Sequence, residues 1–199
     1  VFLNEETQME QLDLRVQKTY KALVEAFERL LLEKEFESIS VTEICDAAMI
    51  RRPTFYKHFL DKYDFITFFI KHKMNKIFDF AIQKSNDEGV DFFIVVFEQL
   101  LDQFDNLLHL IFSIQTNGNS IFELESVREY GKSMLNNYVK KEDTDKELPL
   151  QLSYKGQIIM GITIQSVFWY KDKKSQISRK EVIELYTQTL DRLRWRKRQ

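Results

Sequence analysis

A short basic segment of the sequence, RRPTFYKHF, holds the side chains best suited to a chemical task. Lys57 and His58 follow Thr54 after three and four residues, so the three side chains share one face of a helix. Arg51 and Arg52 come just before them. Arginine donates two hydrogen bonds to O6 and N7 of guanine, and lysine or threonine reaches a phosphate or a base edge. The pattern favours contact with a DNA duplex, and an ordinary solvated surface is the alternative.

Two short helices joined by a tight turn would position this segment. Ser40 and Glu43 form a capping box, which predicts that a helix begins at Ser40. Pro53 suits the first turn of the next helix, because its missing N–H would be unpaired there. Phe55 and Phe59, four residues apart, give that helix a buried face. The arrangement is that of a helix-turn-helix, whose second helix needs one face for the core and one for the major groove.

Basic charge is concentrated around the predicted helix pair. Seven Lys or Arg and two Asp lie between Arg51 and Lys76, whereas the first fifty residues hold five basic and eleven acidic residues. The net charge of -2 gives the whole chain no preference for polyanions. Nucleic-acid binding depends on a local basic face, so the mean charge does not exclude it.

Composition indicates an all-α fold. Of 199 residues, 44% are hydrophobic, and only 5 Gly and 2 Pro interrupt them. Cys45 is the single cysteine, which excludes an intrachain disulfide and a thiolate metal cluster. We find neither a signal peptide nor a membrane-spanning apolar run, and we expect a soluble protein of the reducing cytoplasm.

Apolar residues at helical spacing predict about nine helices and no strand. Besides the short pair, the predicted helices cover residues 14–35, 61–85, 91–104, 106–114, 121–139 and 150–170, and a last one opens at the capping box of Ser178 and Glu181. The helix over 150–170 is apolar on most sides, so we expect it to be buried or packed against a partner.

The segment from Arg15 to Ile66 resembles the N-terminal DNA-binding domain of the TetR (tetracycline repressor) family of bacterial regulators. The residues that carry the resemblance are Ala26–Phe27, Phe36, Val41–Ile44, Ala48, Thr54–Tyr56, His58–Phe59 and Lys62. The rest of the chain resembles the family in its helix count and in an apolar penultimate helix. The resemblance implies a DNA-binding domain over residues 1–60 and a helical effector-binding and dimerisation domain over residues 61–199.

The family resemblance also implies roles for individual residues. Phosphate contacts are implied for Thr42, Tyr56, His58 and Lys62. Groove contacts are implied for Arg51, Arg52, Thr54 and Lys57.

Three residues depart from the family pattern. Met49 stands where the family usually has glycine, so this turn must adopt a strained or different backbone. Pro53 replaces a common small residue and Arg51 a common Ser or Asn. The base preference of a relative is therefore not transferable.

The resemblance further implies a homodimer that is built on the last two helices of the chain. This dimer would bind a near-palindromic operator, most simply as a repressor. The predicted interface residues are Ile158, Ile162, Val167, Trp169, Leu185, Tyr186, Leu190 and Leu193. The alternative is that these residues fill the core of a monomer. The basic residues after Leu193 suit a solvated helix end, and a second DNA patch is the alternative.

Aromatic and apolar side chains of the middle helices are expected to line an effector pocket, as they often do in this family. The predicted lining is Phe93, Phe97, Phe104, Leu108, Phe112, Tyr130, Met134, Tyr138 and Tyr154. Such a pocket favours a small apolar or aromatic effector. The alternatives are a plain core and a regulator without a small-molecule response.

Two other classes of protein compete with a DNA-binding regulator. Catalysis is disfavoured because His72 and His109 have no partnered nucleophile or metal-ligand spacing and because no Gly-rich phosphate loop is present. We therefore predict no enzyme activity, no cofactor and no metal. A helical adaptor that binds only protein is the third hypothesis.

Overall fold

A computed structural model describes residues 14–103, 129–135, 138 and 149–193 of the chain. Within these ranges the chain forms eight α-helical segments and one short 3₁₀ turn, and no strand. The prediction of an all-α fold is confirmed. No helix in the described ranges is both long enough and apolar enough to cross a membrane.

The helices follow the predicted order. They are α1 (Leu14–Glu33), α2 (Val41–Ala47), α3 (Arg52–Phe55), α4 (Lys62–Glu88), α5 (92–103), α6 (129–135), α7 (Pro149–Lys173) and α8 (Arg179–Leu193), with the 3₁₀ turn Phe36–Ser38 between α1 and α2. The helix predicted over 106–114 lies outside the described residues, as does most of the one predicted over 121–139.

Both predicted capping boxes are present. The hydroxyl of Ser40 accepts a hydrogen bond from the Glu43 N–H at 3.2 Å, and the Ser40 N–H donates to the Glu43 carboxylate at 2.9 Å. Ser178 and Glu181 form the same pair of bonds, at 3.2 and 2.8 Å. Each box satisfies two backbone donors that a helix N-terminus leaves free, which sets the start of α2 and of α8.

Helix α3 is shorter than the sequence pattern suggests. Pro53 lies in its first turn as predicted, but the regular helix ends at Phe55 and a turn follows. The Phe59 N–H still donates to the Phe55 carbonyl at 3.0 Å. The backbone therefore keeps the one-turn spacing that places both phenylalanines on the same side.

The described residues divide into two compact units, 14–75 and 76–103 with 129–135, 138 and 149–193, and α4 supplies residues to both. The core of the first unit is aromatic. The Phe27 ring lies 5.3 Å from Phe65 and 4.9 Å from Phe69, both edge to face. Burial of one such side chain stabilises the fold by about 1.5–3 kcal/mol.

The core of the second unit joins α5, α7 and α8. Phe97 of α5 stacks on Tyr186 of α8, with ring centroids 4.1 Å apart. The Tyr186 hydroxyl is hydrogen-bonded to Thr163 of α7, and Thr163 also donates to the Ile159 carbonyl at 2.8 Å. All three side chains that meet here are buried, and burial raises the pKa of the Tyr186 hydroxyl well above its usual range.

Candidate nucleic-acid interface

Helix α2 is fixed at both ends by cations, one from α1 and one from the residue that follows α1. At its C-terminus, Arg29 donates to the Ala47 carbonyl at 3.1 Å, where a positive charge complements the helix dipole. At its N-terminus, Lys34 forms an ion pair with Glu43. The hydrogen bonds from Lys34 and from Ser40 lower the pKa of Glu43 to about 2. The capping carboxylate is therefore ionised at any pH near neutral.

The turn between α2 and α3 has a left-handed residue at Met49. Its φ is 55°, a value that favours glycine, and its side chain is 93% exposed. The Met49 N–H donates to the Asp46 carbonyl at 3.1 Å, and the Ile50 N–H donates to the Cys45 carbonyl at 2.9 Å. Of the two backbones expected where glycine is missing, strained or different, the structure has the strained, left-handed one.

The inner face of the α3 segment is anchored by Phe55 and Phe59. Both side chains are buried, and their ring centroids lie 5.3 Å apart. Phe65 of α4 contacts both rings, at 5.7 and 5.1 Å. The predicted buried face is confirmed, and it fixes which side of α3 points outward.

The outer face of the segment carries the basic residues. Arg51, Arg52, Tyr56 and Lys57 are exposed, and Thr54 is half-buried. The guanidinium carbon of Arg52 lies 6.0 Å from the Tyr56 ring centroid, at the edge of cation–π range. These side chains form what we call the α3 face, defined as Arg51, Arg52, Thr54, Tyr56 and Lys57.

Two further predicted residues flank the α3 face. Thr42 is exposed in the first turn of α2, and His58 is half-buried just after α3. The Tyr20 hydroxyl lies 3.3 Å from Nδ1 of His58, and the two rings meet edge to face at 5.1 Å. Burial and the charge of Asp64 raise the pKa of Tyr20, so its hydroxyl stays protonated. The two residues are 38 positions apart, and the sequence pattern gave no sign of this contact.

Lys62, the remaining predicted residue, is the first residue of α4. Its side chain is half-buried, and its ammonium donates to the Glu37 carbonyl at 3.1 Å and to the Ile39 carbonyl at 3.3 Å. It differs in this from the exposed basic residues of the α3 face.

Internal partners distinguish two groups of cations in this unit. Arg29, Lys34, Lys62 and Lys73 each bind a carbonyl or a carboxylate, and the Lys73–Glu28 pair is 2.9 Å long. By contrast, Arg51, Arg52 and Lys57 form no ion pair with any residue that the structure describes. Three cations of the first unit that lack an ion pair with a described residue thus lie together on the α3 face.

The residues predicted to line an effector pocket fall into separate places. Phe93 and Tyr138 meet around Phe92, which stacks on Tyr138 with centroids 3.7 Å apart. Phe97 is buried against Tyr186 instead, and Tyr154 is exposed. Tyr130 and Met134 are half-buried on α6. Phe104, Leu108 and Phe112 lie outside the described residues.

The residues predicted for a dimer interface divide by burial. Val167, Tyr186 and Leu190 are buried within the second unit itself, and Ile162 is half-buried. The remaining residues are large, apolar and exposed: Ile158, Trp169, Leu185 and Leu193. Part of the predicted interface is therefore buried inside the second unit, and the rest is exposed, a difference that the apolar spacing in the sequence does not show.

The structure also bears on two other kinds of chemistry, a reactive thiol and a metal site. Cys45 is buried in α2, and burial raises the pKa of its thiol. Within the ranges described, no three or more His, Cys, Asp or Glu side chains are grouped so that they could hold a metal ion.

Comparison with known proteins shows which fold this helical arrangement has. No protein-family model and no curated protein sequence matches the chain. Among solved structures, a putative TetR-family transcriptional regulator from Syntrophomonas wolfei matches with a TM-score of 0.65 at 18% identity, over 89% of this chain and 95% of that one. The chain has the TetR-family fold.

Other structures with the TetR-family fold match over a similar extent. FadR from Bacillus subtilis, a transcriptional regulator in complex with stearoyl-CoA, gives a TM-score of 0.61 at 15% identity over 87% of this chain and 97% of that one. LfrR from Mycobacterium smegmatis, a TetR-like transcriptional regulator in complex with proflavine, gives 0.53 at 15% identity over 89% and 96%. The sequence resembles the family over residues 15–66, and the structural similarity covers most of the chain.

Proposed function

We propose that this chain is a DNA-binding transcriptional regulator that represses from a near-palindromic operator as a homodimer. The observation that carries the proposal is the α3 face. Its Arg51, Arg52 and Lys57 are exposed and have no ion-pair partner among the described residues. A duplex supplies the missing counterions, because phosphates and guanine edges accept hydrogen bonds from these side chains.

The anchoring of α3 supports the same function. Phe55 and Phe59 hold one side of the segment in the core, so the opposite side is presented on a rigid support. We assign base contacts to Arg51, Arg52, Thr54 and Lys57. Phosphate contacts are assigned to Thr42, Tyr56 and His58. In this proposal residues 1–60 form the DNA-binding domain and residues 61–199 the effector and dimerisation domain.

The exposed apolar side of α7 supports a dimer. Ile158, Ile162 and Trp169 are four and seven residues apart, and 3.6 residues per turn places them on one face. Val167, on the opposite face, is buried in the protomer. A row of exposed large apolar residues favours contact with a partner, and a second copy of the chain supplies two DNA-reading helices for two half-sites.

The aromatic cluster of Phe92, Phe93 and Tyr138 supports an effector site in the second domain. FadR and LfrR, which share the fold, are in complex with stearoyl-CoA and with proflavine. We propose a small apolar or aromatic effector that weakens DNA binding. Both compounds serve as probes, the acyl chain of stearoyl-CoA for an apolar site and the rings of proflavine for an aromatic one. At least one should lower the affinity of the protein for its DNA site. Phe93→Leu should reduce that effect, which it would not do if the probe acted on the DNA directly. Unchanged DNA affinity with both probes would contradict this part of the proposal.

Selection of bound sequences from random DNA tests the proposed function. We expect the 199-residue chain to enrich an inverted repeat, since a two-fold dimer reads two equivalent half-sites. An Arg51→Ala/Arg52→Ala variant, folded as judged by circular dichroism, should lose the base preference at the positions that these arginines read. Failure of the wild type to enrich any sequence would overturn the proposal and favour the protein-binding adaptor.

A further inference from the structure

The ammonium group of Lys62 makes three polar contacts within the protein. It donates to the Glu37 carbonyl at 3.1 Å and the Ile39 carbonyl at 3.3 Å, and it lies 3.7 Å from the Glu37 carboxylate. An ammonium has three donors, and the two carbonyls accept from two of them. The Glu37 carboxylate lies at ion-pair distance and adds an electrostatic contact. Only 18% of the side chain is exposed.

Two aromatic rings complete this environment. The ammonium nitrogen lies 4.7 Å from the Phe36 ring centroid and 5.4 Å from that of Tyr63, within cation–π distance of both. The Tyr63 hydroxyl donates to the same Glu37 carboxylate at 3.4 Å. To reach a phosphate, Lys62 would have to give up these contacts. Lys57 would lose no such contacts in reaching one.

The contacts of Lys62 lie directly before α2. Ile39 is buried, and the next residue is Ser40, the N-cap of α2. Through the Ile39 carbonyl, the first residue of α4 is therefore tied to the first turn of α2, where Thr42 is exposed.

We propose that Lys62 is a positioning residue that fixes the start of α2 for DNA contact and does not itself bind a phosphate. The inference rests on the proposed DNA-binding function. It replaces the phosphate contact that the family resemblance implies for Lys62. Thr42 is the residue whose position it controls.

The salt dependence of DNA binding separates the two roles. Each phosphate contact adds about 0.9 to the magnitude of the slope of log K against log salt concentration. We compare Lys62→Met with Lys57→Met, a matched change on the exposed α3 face, using the DNA sequence that the wild type selects. Lys57→Met removes an exposed cation of the α3 face and should reduce the slope, because a cation at the duplex displaces counterions whether it meets a base edge or a phosphate. Lys62→Met should weaken binding about tenfold, the effect of one lost polar contact, with the wild-type slope retained.

Three results would overturn the inference. A reduced salt-dependence slope for Lys62→Met would show that Lys62 contacts a phosphate. Wild-type affinity with wild-type slope would mean that Lys62 does not affect DNA binding. A lower unfolding temperature with unchanged affinity of the folded protein would make its role purely structural. Absence of DNA binding by the wild type would instead reject the proposed function, so the two failures are distinguishable.

Lysine side-chain NMR of the wild type tests the inference even if Lys62→Met does not fold. The ¹⁵Nζ signal of Lys62 should be the same in the free and the DNA-bound protein, because its internal contacts persist. The Thr42 backbone amide should shift on binding, which serves as the internal control. A DNA-induced shift of the Lys62 signal with hydrogen-bond coupling to ³¹P would contradict the proposal.

Discussion

At the scale of the residue, Met49 combines two unfavourable features, a left-handed backbone and an exposed apolar side chain. A left-handed conformation costs a residue other than glycine about 1–2 kcal/mol, which glycine avoids. We expect Met49→Gly to raise the free energy of unfolding by about 1 kcal/mol, because the greater flexibility of glycine in the unfolded chain offsets part of the gain. Urea denaturation measures this change. A less stable variant would show that the Met49 side chain stabilises the turn.

Glu43 makes the stability of the protein depend on pH. Its pKa is lowered from 4.5 to about 2 in the folded state, first by the Lys34 hydrogen bond and then by Ser40. A lowered folded-state pKa contributes stability above pH 4.5 that is lost as the pH falls toward 2. Glu43→Gln should therefore flatten the fall of the unfolding temperature across this window. Glu33→Gln, a change at an exposed position of α1, is the control. Equal flattening by both variants would rule out the cap as the cause.

At the scale of the element, the hydroxyl pair of Thr163 and Tyr186 joins α7 to α8. Tyr186→Phe keeps the ring on Phe97 and removes one buried hydrogen bond, while Thr163 still donates to the Ile159 carbonyl. The expected loss of stability is about 1 kcal/mol. Tyr186→Ala also removes the ring and should cost about 3–5 kcal/mol. Chemical denaturation of both variants checks the order, and equal losses would show that the ring contributes little.

Helix boundaries with local causes were predictable from the sequence. The capping boxes at Ser40 and Ser178 and the position of Pro53 depend on residues at most three apart, and all three predictions are confirmed. The end of α3 was not predictable to the same degree. The hydrogen bonding continues beyond Phe55 in a turn, so apolar spacing does not reveal where the regular helix ends.

Contacts between residues far apart in the chain could not be predicted from the sequence pattern. Lys62 and Tyr20 find their partners across 25 and 38 residues, and neither partner follows from local spacing. Periodicity likewise identified the apolar residues of α7 and α8 without showing which are covered by the protomer itself. Val167 and Tyr186 are covered, whereas Trp169 remains exposed.

At the scale of the whole molecule, the proposed dimer depends on one face of α7. Ile158 and Ile164 are both exposed isoleucines of this helix, but six residues separate them and they point to different sides. Ile158→Glu should raise the dimer dissociation constant at least about tenfold by placing a charge in the interface. Ile164→Glu should leave it unchanged. Sedimentation velocity gives both values, and equal behaviour of the two variants would rule out this face.

The salt dependence of DNA binding tests the central claim most directly. In a fluorescence anisotropy titration of the selected site, the wild-type dimer should bind tightly at low salt and progressively weaker as salt rises, because phosphate contacts release counterions. Arg52→Ala should reduce the preference for the selected site by about 1–3 kcal/mol, as expected for a lost base contact. Binding that is absent at low salt, or equally strong at every salt concentration, would contradict the assignment of the α3 face to DNA.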